Sequence, residues 1–237
     1  MIIVTGGAGF IGSYLVGELS RKHIGPIIIC DRLRDGDKWK NIAKHNIADI
    51  IDPDSLGDWL DTNGQNVDCI FHLGACSSTT ESDADYIWQN NVKFTQMLWD
   101  FAAQNKKRLI YASSAATYGD GSKGFKDDNS LEAISDLRPL NAYGWSKKVS
   151  DIRAVQMADA GYAPEQWAGL KFFNVYGPNE YHKGGQKSVA VQLFDKINED
   201  GKAVLFRSHH PNYEDGGQMR DFVWVGDVVD VMLWLYE

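Results

Sequence analysis

Several features that would settle a protein's class at once are missing from this chain. Cysteine occurs only three times, as Cys30, Cys69 and Cys76, with no C-x-x-C pair. An odd, unpaired set argues against a disulfide framework or a cysteine metal site and for reduced, packing thiols. No apolar run approaches the roughly 20 residues of a membrane-crossing helix. The opening Met1-Ile2-Ile3-Val4-Thr5 has neither the basic flank nor the long apolar stretch of a secretory leader. These absences fit a cytoplasmic protein without a membrane partner. Cations are short too, with 24 Lys plus Arg against 32 Asp plus Glu and a net charge of -8. That deficit argues against a polyanion-binding surface, and so against nucleic acid as a partner. It leaves room for a small phosphate-bearing ligand, because one pocket needs only a few local cations and backbone N–H groups. There is no internal repeat and no low-complexity linker, and 237 residues suffice for one large domain or one domain with a small appendage.

What is present is an alternation. Short apolar runs at 2–5, 27–30, 69–72, 109–112 and 168–172 are separated by longer segments, and 13–21, 83–105 and 143–160 carry a helical pattern. Runs apolar on successive residues are what a parallel sheet covered on both faces requires. The expected fold is therefore α/β, a doubly wound parallel sheet of the Rossmann kind, over residues 1–172. After Phe172 the pattern changes to the turn-rich Asn174-Val175-Tyr176-Gly177-Pro178 and 182–186, then to an amphipathic helix over 188–197 and an apolar helical stretch over 228–237. Residues 173–237 read as a smaller substrate-binding region interleaved with the last sheet elements. The final stretch has no capping signal or polar tail, so that region is expected to be incomplete at its C-terminus.

The strongest local signal is Thr5-Gly6-Gly7-Ala8-Gly9-Phe10-Ile11-Gly12, which follows a strand and opens a helix. Gly6 and Gly9 permit a tight turn and let backbone N–H groups approach a pyrophosphate, while Gly12 lets helix and strand pack closely. The helix N-terminus then offers its unpaired donors to the anion. Asp31 lies at the end of the second strand run, at the roughly 20-residue spacing of the acid that holds an adenosine ribose. A carboxylate there favours NAD, because it repels a 2′-phosphate. Arg32, Arg34 and Lys38 follow at once, however, and a guanidinium can pair with that phosphate. The residues themselves leave NAD and NADP open.

Tyr143-Gly144-Trp145-Ser146-Lys147 places a phenol and an ammonium at i and i+4, on one helix face. A free tyrosine, with a pKa of about 10, is a poor base at neutral pH, and a nearby cation stabilises its phenolate. Tyr143 can thus take a hydroxyl proton. A hydrogen-bonding group for the substrate oxygen is needed too, and the segment from Tyr111 to Gly119 supplies hydroxyls where a strand run ends. Ligands of open α/β sheets bind outside those ends, which puts Ser114 in the right region.

Taken in this order, these residues resemble the extended short-chain dehydrogenase/reductase family, the nucleotide-sugar epimerases and dehydratases. The resemblance also rests on Gly74-Ala75-Cys76-Ser77-Ser78-Thr79-Thr80-Glu81, which is its most discriminating segment, on Phe173-Asn174-Val175-Tyr176-Gly177-Pro178 and on His182-Lys183-Gly184. Within the family the chain is similar to enzymes that invert C6 of an ADP-linked heptose for lipopolysaccharide inner-core synthesis. Such a cycle oxidises the carbon to a ketone and returns hydride to the opposite face, with no net redox change. It needs acid/base groups reachable from two orientations of the ketone, and the resemblance implies Tyr143 for one and Lys183 for the other. It also implies that Lys147 holds the nicotinamide ribose and lowers the Tyr143 pKa, and that Ser114 bonds the reacting oxygen. For the cofactor it implies Phe10, Ile11, Asp31, Arg32, Lys38, Leu73, Gly74, Ala75, Cys76, Ser77, Asn90 and Val175. For the sugar nucleotide it implies Ser77, Ser114, Asn174, Gly185, Gln192, Phe206, Arg207, Ser208, His209 and Arg220. NADP as cofactor and a closed homo-oligomer, a pentamer, are further implications.

The chain departs from the family pattern at Pro53, where a second lysine for the 2′-phosphate is expected, and in a longer, more acidic loop over 209–219. Two alternatives bracket the reading. A dehydratase is expected to carry an acidic pair after the catalytic hydroxyl, where this chain has Ala115 and Ala116, whereas a 4-epimerase or reductase of a UDP- or GDP-sugar stays open. A non-catalytic dinucleotide-binding regulator is expected to lack the Tyr and Lys that Tyr143 and Lys147 supply. Eight Trp and ten Phe read as core or interface. His72, inside a strand run, reads as a satisfied core histidine. His209 and His210 beside Glu214 and Asp215 read as a solvated loop, so no metal is expected.

Overall fold

The computed structural model describes residues 1–209 and 211–237. Eight strands occur among them: β1 (Ile2–Thr5), β2 (Ile27–Cys30), β3 (Asp49–Ile51), β4 (Cys69–His72), β5 (Arg108–Ser114), β6 (Gln166–Phe172), β7 (Asn174–Tyr176) and β8 (Phe222–Trp224). The helices are α1 (Phe10–Arg21), α2 (Leu56–Asn63), α3 (Ala84–Ile87), α4 (Phe94–Gln104), α5 (Leu131–Asp136), α6 (Ala142–Asp159), α7 (Val189–Asp200) and α8 (Val225–Tyr236). The first six strands form one parallel sheet in the order β3-β2-β1-β4-β5-β6, and β7 pairs with β8 separately, also in parallel. The order runs outward in both directions from β1 and β4, which is the doubly wound arrangement expected from the sequence.

Side-chain alternation along the strands builds two cores. Ile2, Val4, Ile27, Ile29, Cys69, Phe71 and Ile110 face one side, where Leu15, Val16 and Leu19 of α1 meet Val228, Val229, Met232 and Leu233 of α8. Ile3, Ile28, Ile70 and Leu109 face the other, against Leu56 and Leu60 of α2, Leu98 and Trp99 of α4, and Ala154 of α6. Both faces are therefore covered, which is why these strands are apolar on consecutive residues. α8 packs beside α1 in the first of these cores.

The helix expected over 83–105 is interrupted. Between α3 and α4 the chain makes a π-helical turn, Trp88–Lys93. Such turns hold one residue more than an α-helical turn and recur at functional sites. Here the turn lets consecutive side chains serve different partners. Asn90 lines a cavity, while Asn91 is fully buried and accepts from Cys76 N at 2.8 Å and donates to Cys76 O and Ser146 Oγ, both at 3.0 Å.

His72 is buried between two threonines. Gly74 N donates to Thr5 Oγ1 (3.0 Å), which pairs with His72 Nδ1 (2.7 Å), while His72 Nε2 meets Thr95 Oγ1 (2.8 Å), itself a donor to Asn91 O (2.5 Å). Because Thr95 spends its proton on Asn91, His72 must donate through Nε2 and accept at Nδ1. Burial, with Lys147 adding repulsion, lowers the imidazole pKa to about 3 and keeps it neutral. It is the satisfied core histidine the sequence suggested.

Candidate active site

A cavity of about 1370 Å³ opens along the carboxyl ends of the strands, reached by Thr5 of β1, Cys30 of β2, Ser113 and Ser114 of β5 and Phe172 of β6. This is the side on which open α/β sheets bind ligands, at the point where strand order reverses.

The glycine turn forms its near wall. Gly6 has φ +67 and lies so close to the β4 loop that a Cβ would come within 2.8 Å of Gly74. A Cβ on Gly12 would meet Gly6 O at 2.2 Å, so only glycine allows α1 to start there. α1 has Gly9 as its N-cap, no side-chain cap and no acidic residue in its first turn. Its first N–H groups are thereby left for an anion, as a dinucleotide pyrophosphate requires. Phe10 and Ile11 line the same wall. Asp31 stands at the end of β2 and is already fixed, accepting from Ala8 N (2.9 Å), Arg32 N (2.8 Å) and Lys38 Nζ (2.5 Å). The glycine cradle, open helix terminus and acid at the strand end together fit a dinucleotide.

Two of the cations beside Asp31 are engaged. Lys38 pairs with Asp31, and Arg32 pairs with Asp54 and, at 3.6 Å, with Asp52. Pro53, standing where a second lysine was expected, also lines the cavity. Arg32 and Lys38 therefore do not stand as free phosphate donors, and any 2′-phosphate competes with carboxylates for them.

The residues expected to act as acid and base are carried by two separate elements. α6 begins with Asn141 capping Gly144 N at 2.8 Å, which brings Tyr143 and Lys147 onto the cavity beside Ser114. Lys147 is buried and donates to Ala112 O at 2.7 Å. Burial pulls its pKa down to about 8, opposed by Asp151, so at pH 7 the ammonium form still prevails. Burial raises the Tyr143 pKa, only partly opposed by a hydrogen bond with Ser114, so the lowering by Lys147 that the resemblance implied does not prevail in the substrate-free site. One helical turn beyond Lys147, buried Asp151 accepts from Tyr111 Oη (3.0 Å), Ser113 Oγ (2.7 Å) and Lys171 Nζ (2.5 Å). Lys183 lines the same cavity from the 3₁₀ turn Tyr181–Gln186, with Nζ 5.3 Å from the Phe10 ring centroid. Burial lowers its pKa, opposed by Glu180, and no hydrogen bond or ion pair engages its ammonium among the described residues.

Leu73, Gly74, Ala75, Cys76, Ser77, Asn90, Asn174, Val175 and Arg220 also line this cavity. Six expected residues are not brought to it. Gly185 lies on the Lys183 turn without lining the cavity, and the Gln192 amide turns back to Lys187 O at 2.6 Å. Phe206, Arg207, Ser208 and His209 belong to a loop that closes on itself through Ser208 N to Asp215 Oδ1 (2.7 Å) and Gly216 N to Phe206 O (2.8 Å), leaving Phe206 69% exposed. His210 lies outside the described residues. No group of three or more His, Cys, Asp or Glu converges among the described residues. Asn91, Asp151 and Glu180 were not anticipated. A polar residue within an apolar helical stretch was the signal available for Asn91.

Against known proteins, the model of the NAD dependent epimerase/dehydratase family matches residues 2–237, and the chain belongs to that family. It is 49% identical over 237 residues, 99% of this chain and 70% of the relative, to ADP-L-glycero-D-manno-heptose-6-epimerase of Fusobacterium nucleatum. Among solved structures it is similar to the ADP-L-glycero-D-manno-heptose-6-epimerase of Helicobacter pylori, with a TM-score of 0.79 and 28% identity over 99% of this chain and 72% of that one. It is also similar to MoeE5, solved in complex with UDP-glucose and NAD, with a TM-score of 0.72 and 30% identity over 100% of this chain and 71% of that one.

Proposed function

We propose that this chain inverts C6 of the heptose in ADP-D-glycero-D-manno-heptose, giving the L-glycero epimer by way of a 6-ketone, as an NADP-dependent isomerase of lipopolysaccharide inner-core synthesis. The observation that carries this reading is the approach of two proton-transfer groups, Tyr143 and Lys183, to one cavity from separate elements, beside a dinucleotide cradle. A group that only oxidised its substrate would need one of them. The glycine turn and Asp31 would hold a nicotinamide dinucleotide, which would supply reversible hydride acceptance at C6. Tyr143 removes or restores the hydroxyl proton in one orientation, with Ser114 bonding the oxygen and Lys147 holding the ribose and the negative charge of the phenolate. Lys183, whose pKa is lowered by burial, does the same in the other. Asn174 and Arg220 face the sugar nucleotide, and a guanidinium there suits a diphosphate.

NADP is favoured by resemblance, with NAD kept as the alternative because Asp31, Asp52 and Asp54 surround the nearby cations. A cytoplasmic location and a closed homo-oligomer belong to the same reading. No described helix is long and apolar enough to cross a membrane. Incubation with catalytic NADP and the D-glycero substrate, with the C6 epimers resolved by chromatography, tests it. L-glycero product without net NADPH is the expected result. Turnover of a UDP- or GDP-sugar in place of the heptose would keep the family and overturn the assignment.

A further inference from the structure

Glu180 is 2% exposed, yet no cation lies within ion-pair distance of it among the described residues, Lys183 feeling its charge only from farther off. Burying an unpaired carboxylate costs free energy unless hydrogen bonds replace its hydration. Here three donors do so: Gly177 N (3.0 Å) and Ser188 Oγ (2.9 Å) reach Oε1, and Ser188 N (2.5 Å) reaches Oε2. Gly177 precedes the Tyr181–Gln186 turn and Ser188 follows it, so one side chain closes both ends of the segment that bears Lys183. Both ends are anchored in turn. A Cβ on Gly177 would meet Val225 Cγ1 at 2.4 Å, so Gly177 sits hard against α8. Ser188 caps α7 through Val191 N at 3.3 Å.

The segment is also held to α1 and the glycine turn. Asn179 Nδ2 donates to Ser13 Oγ at 3.0 Å, and Asn41 Nδ2 bridges Ala8 O (2.9 Å) and His182 Nδ1 (3.3 Å). Lys183 itself is not tethered by any of these bonds. Its place against Phe10 follows from the path of the backbone, and that path is closed by Glu180.

We propose that Glu180 is the positioning residue for Lys183, a buried clasp whose three accepted hydrogen bonds fix the second proton-transfer group over the cavity. The inference rests on the two-sided epimerisation argued above. A carboxylate is required because it accepts everywhere, whereas glutamine presents an N–H₂ to one of the three donors. Tyr143, carried by α6, does not depend on the clasp.

This separation supplies the test. Each epimer gives up its hydroxyl proton to a different one of the two groups, so loss of the clasp slows oxidation of one epimer and spares the other. With the full chain loaded with NADP, the near-ultraviolet absorbance of the reduced cofactor is followed in single turnovers, started with each epimer separately. Glu180→Gln is expected to slow one epimer by about tenfold to 10²-fold, the scale of a misplaced reacting group, while the other stays within about twofold. Ser188→Ala, which removes one bond of the three, is expected to shift the ratio in the same direction by less. In the substrate-free protein, amide exchange over residues 181–186 is expected to rise about tenfold in Glu180→Gln with no change over α6. Equal slowing of both epimers, or unaltered exchange in the turn, would overturn the assignment to Glu180. Wild-type protein that oxidises neither epimer would overturn the heptose reading, and the exchange measurement would still decide whether Glu180 holds the turn.

Discussion

Tyr143 and Lys183 reach one cavity from regions built on different terms. α6 buries Ser146, Lys147, Ser150, Asp151 and Ala154, and its polar side chains are bonded to β5, β6 and the π turn. α7, which follows the Lys183 turn, buries none of its residues, and Phe194 on it is 66% exposed. Met219, ahead of β8, is 73% exposed. The cofactor side is thus specified by packing, with polar networks inside the packing. The Lys183 side is specified by a few hydrogen bonds around one turn. Order in the first region is cooperative, and order in the second is local.

The comparison can be broken most directly at Asp151. Asp151→Ala leaves Lys171 without its buried partner and is expected to destabilise the chain by about 3–5 kcal/mol, read from chemical denaturation. A loss under about 1 kcal/mol would mean that the α6 side is no more cooperative than the Lys183 side. Lys147 gives the next largest effect. Its folded pKa, about 8, lies below the unfolded value of 10.5, so the unfolded chain binds more protons between those two values. The burial penalty is complete below pH 8, and stability is gained as pH rises towards 10.5, up to about 3 kcal/mol in all. Thermal melts of wild type and Lys147→Met at pH 7 and pH 10 should therefore converge or cross, whereas parallel curves would remove the buried-lysine account.

Gly12→Ala sharpens the contrast within the first region. A methyl 2.2 Å from Gly6 O forces the turn apart, costing about 1–3 kcal/mol as overpacking does, and dinucleotide affinity should fall further than stability does. The smallest effect is expected at Asp54, whose carboxylate is 83% exposed. Asp54→Asn frees Arg32 from an exposed ion pair worth about 0.2–1 kcal/mol and should improve the NADP-to-NAD affinity ratio by a few-fold in fluorescence titration. An unchanged ratio would show that Arg32 does not meet the 2′-phosphate.

Local features carried most of what could be read in advance. β1, β2 and β4 match their apolar runs because each is buried on both faces and needs no distant partner to be recognised. β3 escaped notice, since it is a short edge strand with Asp49 and Ile50 exposed. The glycine turn and the Tyr143–Lys147 pair were legible as fixed spacings. Asn91 and Asp151 were not, because Ser146, Lys171 and Tyr111, which give them meaning, lie far away in the chain. Glu180 was hidden differently. Its partners are near, but two of its three donors are backbone N–H groups, which leave no mark in composition. The residues expected from 206 to 209 failed to reach the cavity because their loop satisfies itself through Asp215 and Gly216.

The hydrogen bonds through His72 have a direction as well as a geometry. From Gly74 N–H through Thr5, His72 and Thr95 to Asn91 O, every donor points the same way, so the bond dipoles add and each member polarises the next. Only one imidazole tautomer can stand in that row, and with a pKa of about 3 it does not titrate in any ordinary buffer. The two ends of the row grip the 73–77 loop, directly at Gly74 and through Asn91 at Cys76. This part of the cavity floor is therefore held by a row of bonds whose imidazole stays neutral, so its alignment does not follow the pH changes that reach Lys147 and Lys183.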